Sequence, residues 1–114
     1  MTDLKDLYTI AIERGSKIVS AESCTAGLLA ACLTEMPGSS AFFEQGYITY
    51  SNRSKISVLG VDKKILEKHG AVSEEVAKQM AEGALNRSAG TIAISITGIA
   101  GPGGSDYKPE GLVC

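Results

Sequence analysis

Apolar residues recur at three- and four-residue steps near the start of the chain, at Leu4, Leu7, Tyr8, Ala11 and Ile12. That spacing lines one face of a helix, with Thr2 and Asp3 as cap candidates and Gly15 as the stop. The pattern changes at Lys17-Ile18-Val19-Ser20-Ala21, which reads as a short strand. A turn over Glu22-Ser23-Cys24-Thr25 leads into an Ala- and Leu-rich stretch, residues 26–35, that predicts a buried helix ended by Pro37-Gly38. Residues 46–50 alternate β-branched and aromatic side chains and predict a second strand. Ser51 or Asn52 can cap a helix through Leu59, with Gly60 closing it. Two further helices are expected over residues 62–68 and 73–87, the second capped by Ser73 and carrying Val76, Ala77, Met80, Ala81, Ala84 and Leu85 on one face. Residues 91–97 have the near-continuous β-branched character of a strand covered on both faces, and run into a glycine-rich loop, residues 98–104. Alternation of this kind predicts an α/β sandwich. Gly111-Leu112-Val113-Cys114 has the composition of a strand that is only beginning.

Composition narrows the function. A chain of 114 residues, 44% of them apolar, suits one domain with a core of moderate size. Eleven Lys and Arg against 13 Asp and Glu give a net charge of −2, with no general attraction to nucleic acid or to an anionic membrane surface. The longest apolar run, residues 28–33, is far short of the ~20 residues that span a bilayer. The expectation is a cytoplasmic protein with a small-molecule ligand. Cys24, Cys32 and Cys114 are odd in number, widely spaced and without a C-x-x-C pair, which argues for reduced thiols and against a disulfide framework or a zinc site.

Ser40, Tyr50 and Lys55 fall within sixteen positions, around a turn, a strand and a helix start. Together they could supply a nucleophile, a supporting hydroxyl and a base, which points to a hydrolase. A serine hydroxyl attacks an amide carbonyl only if a base takes its proton. Lysine can do so only when neutral, and at its reference pKa of about 10.4 roughly one in two thousand is neutral at pH 7. Burial away from carboxylates would lower that pKa, whereas an ion pair with Glu44 would end the role. The Tyr50 phenol both donates and accepts. Backbone amides around Ser39 and Ser40, or the Thr97 hydroxyl and the Gly98 amide, are candidate donors to an oxyanion.

Each residue also has a plainer reading. Gly38-Ser39-Ser40 is first a turn with a helix cap, Lys55 a solvated helix lysine and Tyr50 a core or edge aromatic. Ser23 and Thr25 read as caps that can also line a ligand. Cys24 could be a thiolate nucleophile at a helix start, but no histidine lies nearby in sequence to activate it. His69, the single histidine, precedes Gly70 at a helix end, where a cap interaction is the default. The loop containing Gly98 and Gly101 matches neither G-x-G-x-x-G nor a phosphate-binding G-x-x-x-x-G-K-[ST] pattern. Its place after a strand still suits amides that line a ligand site, with Lys108 as a charge for a phosphate.

Ala21-Glu22-Ser23-Cys24-Thr25, Gly38-Ser39-Ser40, Thr49-Tyr50-Ser51-Asn52 with Lys55, Gly70-Ala71-Val72-Ser73 and residues 95–102, in this order, closely resemble the CinA C-terminal domain family, the nicotinamide-nucleotide amidases. The resemblance implies a three-layer α/β/α sandwich with a mixed β-sheet, and hydrolysis of the carboxamide of nicotinamide mononucleotide to nicotinic acid mononucleotide and ammonia. It implies a homo-oligomer and neither metal nor cofactor. Carried over, the family's nucleophile falls on Ser40, its base on Lys55, its active-site tyrosine on Tyr50 and a substrate-adjacent position on Thr97. Ala26 stands where the family often has glycine. The family continues past the position of Cys114 through further strands, a helix and an arginine, so residues 1–114 are expected to be one such domain without its last elements. A nucleotide-binding domain without turnover, an assembly domain and a Cys24-dependent transferase are the other classes the residues allow.

Overall fold

A computed structural model describes residues 4–104 and 108–114 of the chain. Its elements follow in the order α1 (Leu4–Glu13), β1 (Ile18–Glu22), α2 (Leu28–Leu33), a short 3-10 turn (Ser39–Ala41), β2 (Phe43–Ile48), α3 (Asn52–Leu59), α4 (Lys63–His69), α5 (Glu74–Asn86) and β3 (Ile92–Ile96). The three strands form a parallel sheet in the order β2-β1-β3. The antiparallel component is the bridge between Gly98 and Val113, where Thr97 and Cys114 exchange both backbone hydrogen bonds at 2.8 and 2.7 Å. The segment expected to begin a strand at residues 111–114 therefore pairs beyond the end of β3. Among the described residues no helix is long and apolar enough to cross a membrane.

Side chains alternate across β1 and divide the interior in two. Val19 and Ala21 pack with Leu59, Val61, Leu66, Val76, Met80 and Ala84 from the α3 to α5 side. Ile18 packs on the opposite face with Tyr8, Ala11, Leu33 and Phe42, contributed by α1, α2 and the residue that joins the 3-10 turn to β2. Helices thus cover both faces of one sheet, the three-layer arrangement expected. The Tyr8 hydroxyl donates to the Leu33 carbonyl at 2.8 Å and joins α1 to α2 inside the second layer.

The caps behave as their chemistry predicts. Ser51, Asp62 and Ser73 accept from the amides of Ser54, Lys64 and Val76 at the starts of α3, α4 and α5, and Gly60 ends α3 in the left-handed region. Thr2 and Asp3 lie outside the described residues. Gly83 sits where α5 crosses α3 so closely that an added Cβ would stand 1.9 Å from the Leu59 carbonyl oxygen.

Five expectations need correction. Residues 26 and 27 do not join α2, because Ala26 and Gly27 take φ of 50° and 105°, and the helix begins after them. Nor is α2 buried as a whole. Leu33 is its one fully buried residue, and Leu28 is exposed. β2 begins at Phe43 rather than Gly46, since its register with β1 starts at Ile18 opposite Phe43, and it ends before Thr49 and Tyr50. β3 is not covered on both faces. α5 lies on one side, while the α1–α2 layer reaches Ile94 but leaves Ile92 47% exposed. Leu7, Ile12 and Leu85, placed on inward helix faces by periodicity, are also exposed.

Candidate active site

The central strand ends in a junction that all three strands help to build. The Glu22 carbonyl accepts from the Thr49 amide at 2.8 Å, and the Ser23 amide donates to the Ile96 carbonyl at 2.9 Å. Residues 23 and 24 therefore emerge between the ends of β2 and β3, at the carboxyl edge of a parallel sheet whose chain leaves β1 toward opposite sides. That edge is where open α/β sheets gather ligands.

Lys55, in the first turns of α3, reaches back into this junction. It is 1% exposed. Its Nζ donates to Ser23 Oγ at 2.9 Å, to the Thr49 carbonyl at 2.9 Å and to the Tyr50 carbonyl at 3.2 Å. Three donors on an ammonium meet three acceptors, and no carboxylate of the described residues pairs with it. Burial pushes the Lys55 pKa below its usual value, and the neighbouring Cys24 side chain works in the opposite direction. The feared pairing with Glu44 does not occur, and Glu44 is exposed.

The serine beside Lys55 is thus Ser23, where Ser40 was expected. Ser39 and Ser40 form the 3-10 turn that precedes β2, whereas Lys55 follows its far end. A six-residue strand between them spans about 20 Å. Ser40 is exposed, and Ser39 Oγ makes only a long contact with the Thr34 carbonyl at 3.5 Å. Nearness in sequence does not bring the two together, because an extended strand lies between them.

The remaining candidates divide. Tyr50 lends its carbonyl to Lys55, while its side chain is 67% exposed. Thr97 is buried and donates to the Ala71 carbonyl at 2.9 Å, so its hydroxyl ties β3 to the loop after α4. Thr25 donates to Glu22 at 2.7 Å and braces the turn. Gly98 packs tightly, since an added Cβ would lie 2.9 Å from the Leu112 carbonyl oxygen and 3.0 Å from Cys24 Sγ. Thr97 spends its backbone on Cys114, so strand alternation turns the Gly98 amide toward the Ser23–Cys24 side. Gly101 lies in the exposed loop, against the Glu110 side chain, and is not brought to Ser23. Lys108 donates to the His69 and Val72 carbonyls and pins the loop after α4.

Glu22 and Thr49 are the residues that sequence reasoning left out. The Glu22 carboxylate, 1% exposed, accepts from Thr25, Leu29 and Ala30. Burial alone would raise its pKa, but these hydrogen bonds and one from the Gly27 amide outweigh it and hold the group below the usual carboxylate value. Thr49 Oγ1 is buried without a partner next to the Lys55 contacts. An acid at the end of an otherwise apolar strand was the available signal for Glu22. Thr49 falls within the family motif Thr49-Tyr50-Ser51-Asn52, but nothing there marks its side chain. A cavity of about 380 Å³ lies beside this junction, lined by His69, Gly70, Ala71, Val72, Ile99 and Lys108 among others. It adjoins Thr97 through the bond to Ala71 and does not include Ser23 or Lys55.

An α/β sandwich with a buried serine–lysine pair at the carboxyl edge of its parallel sheet is the class these features define. Residues 3–114 match the model of the CinA C-terminal domain, and the chain belongs to that family. It is 59% identical over 102 residues, 89% of its length, to a CinA-like protein from Chloroherpeton thalassium. Among solved structures it is similar to the competence/damage inducible protein CihA from Agrobacterium tumefaciens, with 49% identity and a TM-score of 0.92 over 96% of the chain and 67% of that protein. It is likewise similar to a competence-damaged protein (CinA) superfamily protein from Escherichia coli, with 38% identity and a TM-score of 0.92 over 96% of the chain and 64% of that protein. The chain spans about a quarter of the length of the Chloroherpeton relative, 24%.

Proposed function

We propose that this domain hydrolyses the carboxamide of a pyridine nucleotide, nicotinamide mononucleotide, with Ser23 as nucleophile and Lys55 as its base. The observation that carries the reading is the 2.9 Å contact between Ser23 Oγ and a lysine that is buried and free of carboxylates. The substrate class comes from the family resemblance of the motifs.

A neutral Lys55 suits the task. It keeps two N–H donors for the Thr49 and Tyr50 carbonyls and turns its lone pair to the Ser23 hydroxyl. Ser23 Oγ attacks the carboxamide carbon as its proton passes to Lys55, and a C–O bond forms. The Gly98 amide, which strand alternation turns toward the Ser23–Cys24 side, is the candidate donor to the oxyanion. Lys55 then returns the proton to the departing nitrogen, the C–N bond breaks, and ammonia leaves an acyl-serine. Water, deprotonated by Lys55, attacks that ester and releases the carboxylate and Ser23. The neighbouring cavity, about 380 Å³, is large enough for the remainder of a small substrate.

Ammonia and nicotinic acid mononucleotide release from nicotinamide mononucleotide, measured beside the Ser23→Ala chain, tests the reading. Release that vanishes in the variant is the expected result. Binding of the nucleotide without release, or release that survives in Ser23→Ala, would contradict it.

A further inference from the structure

We infer that Glu22 is a positioning residue, whose buried carboxylate clamps the turn of residues 23–26 in the form that aims the Ser23 hydroxyl at Lys55. The inference rests on the Ser23–Lys55 reading above.

The backbone of Glu22 is pinned from one side, with Thr49 donating to its carbonyl, and the next residue is pinned from the other, with the Ser23 amide donating to Ile96. Its side chain then holds the chain that leaves the strand. Oε1 accepts from the Thr25 hydroxyl at 2.7 Å and the Leu29 amide at 2.8 Å, and Oε2 accepts from the Ala30 amide at 3.1 Å. Those donors lie on both sides of Ala26, which sits at φ 50° in the left-handed region. For a residue with a Cβ this conformation costs roughly 1–2 kcal/mol and persists only where its surroundings fix it. The carboxylate supplies that fixation.

A carboxylate is an expensive choice for a simple brace. Burying one without a cation is unfavourable unless strong donors surround it, and no cation of the described residues lies within ion-pair reach of Glu22. Only a carboxylate accepts on both oxygens. A glutamine of the same shape would set its NH2 against either the Ala30 amide or the Thr25 and Leu29 donors, so at least one bond becomes a clash of donors. Leu29 and Ala30 lie in α2, so the clamp also sets the position of that helix against the Ser23 turn.

The test compares the wild-type chain, Glu22→Gln, Ala26→Gly and the double variant in ammonia release from nicotinamide mononucleotide. Glu22→Gln is expected to lower kcat by about tenfold or more, the scale on which a slight misplacement of reacting groups acts, with KM changed less than about twofold. Ala26→Gly relieves the turn of its side-chain strain and in the double variant should restore a substantial part of kcat, a rescue that a general stabilising role for Glu22 does not predict. The rate at which a fluorophosphonate forms its adduct at Ser23 should fall and recover in parallel, without need of the substrate. If Glu22→Gln does not fold, Thr25→Val removes one donor, leaves the carboxylate in place, and should show the same selective loss in kcat on a smaller scale. Wild-type kcat and adduct rate in folded Glu22→Gln, or a loss confined to KM, would overturn the inference while an inactive Ser23→Ala leaves the Ser23–Lys55 reading standing. An active Ser23→Ala, or a wild-type chain that neither releases ammonia nor forms the adduct, would overturn both.

Discussion

The amino and carboxyl edges of the sheet each carry serines, Ser39 and Ser40 before β2 and Ser23 after β1, in very different surroundings. At the amino end, Ser39 and Ser40 lie in a short turn, Ser40 exposed, and Lys17 donates at 2.8 Å to the Ala41 carbonyl of that turn rather than to either hydroxyl. At the carboxyl end, Ser23 is buried against a lysine that has been withdrawn from water and offered only neutral acceptors. On the proposed function, reactivity is a property of the sheet edge. The parallel register delivers the ends of three strands to one place, and the start of α3 brings the base to it.

The sharpest way to break this contrast is to remove the base at one end and the serine at the other. Lys55→Met should lower ammonia release by roughly 10²- to 10⁴-fold, the usual contribution of a positioned proton acceptor, and circular dichroism should show the fold retained. Ser40→Ala should stay within about twofold of wild type. Equal losses in the two variants would erase the distinction.

The packing that places α3 can be broken without touching the site. Gly83→Ala would drive a Cβ to 1.9 Å from the Leu59 carbonyl oxygen, and since backbone must shift, a loss of about 3 kcal/mol is expected in chemical denaturation. A variant as stable as wild type would mean that α3 and α5 do not approach so closely.

The third prediction concerns pH. Burial lowers the Lys55 pKa, so kcat/KM should rise with pH through that lowered value and level off before the pH at which an exposed lysine titrates. The stability sign follows from linkage. Between the folded pKa and the higher unfolded one the unfolded chain holds more protons, so stability should increase as pH rises across that window, and Lys55→Met should abolish the slope. A profile that follows an ordinary lysine would contradict the burial argument.

The smallest effect is at the turn. Ala26→Gly removes the penalty of a left-handed alanine but adds chain entropy to the unfolded state, for a net gain of about 0.5 kcal/mol. A shift of the denaturation midpoint to lower denaturant would show that Ala26 is unstrained.

Much of the framework was legible because it is local. Ser51, Asp62 and Ser73 are caps by the chemistry of their own side chains, Gly60 and Gly15 stop helices by their backbone freedom, and the strand character of β1 and β3 follows from their composition. Family motifs gave Lys55 its role and flagged Ala26 as a departure, which the φ of 50° explains. What could not be read was whatever depends on which elements meet. Ser23 and Lys55 are 32 positions apart, and their contact requires knowing that β1 lies between β2 and β3. The exposure of Leu28 and Ile92 likewise depends on how far the helical layers reach, and the crowding at Gly83 on the path of another helix. Glu22 reads from sequence as the first residue of a turn, because its donors come from that turn and the helix that follows.

The account turns on which serine is the nucleophile, and the most direct measurement is to trap it. Treating the chain with a fluorophosphonate and mapping the adduct by peptide mass spectrometry should place it on Ser23, with the adduct lost in Lys55→Met. An adduct on Ser40, formed whether or not Lys55 is present, would contradict the account.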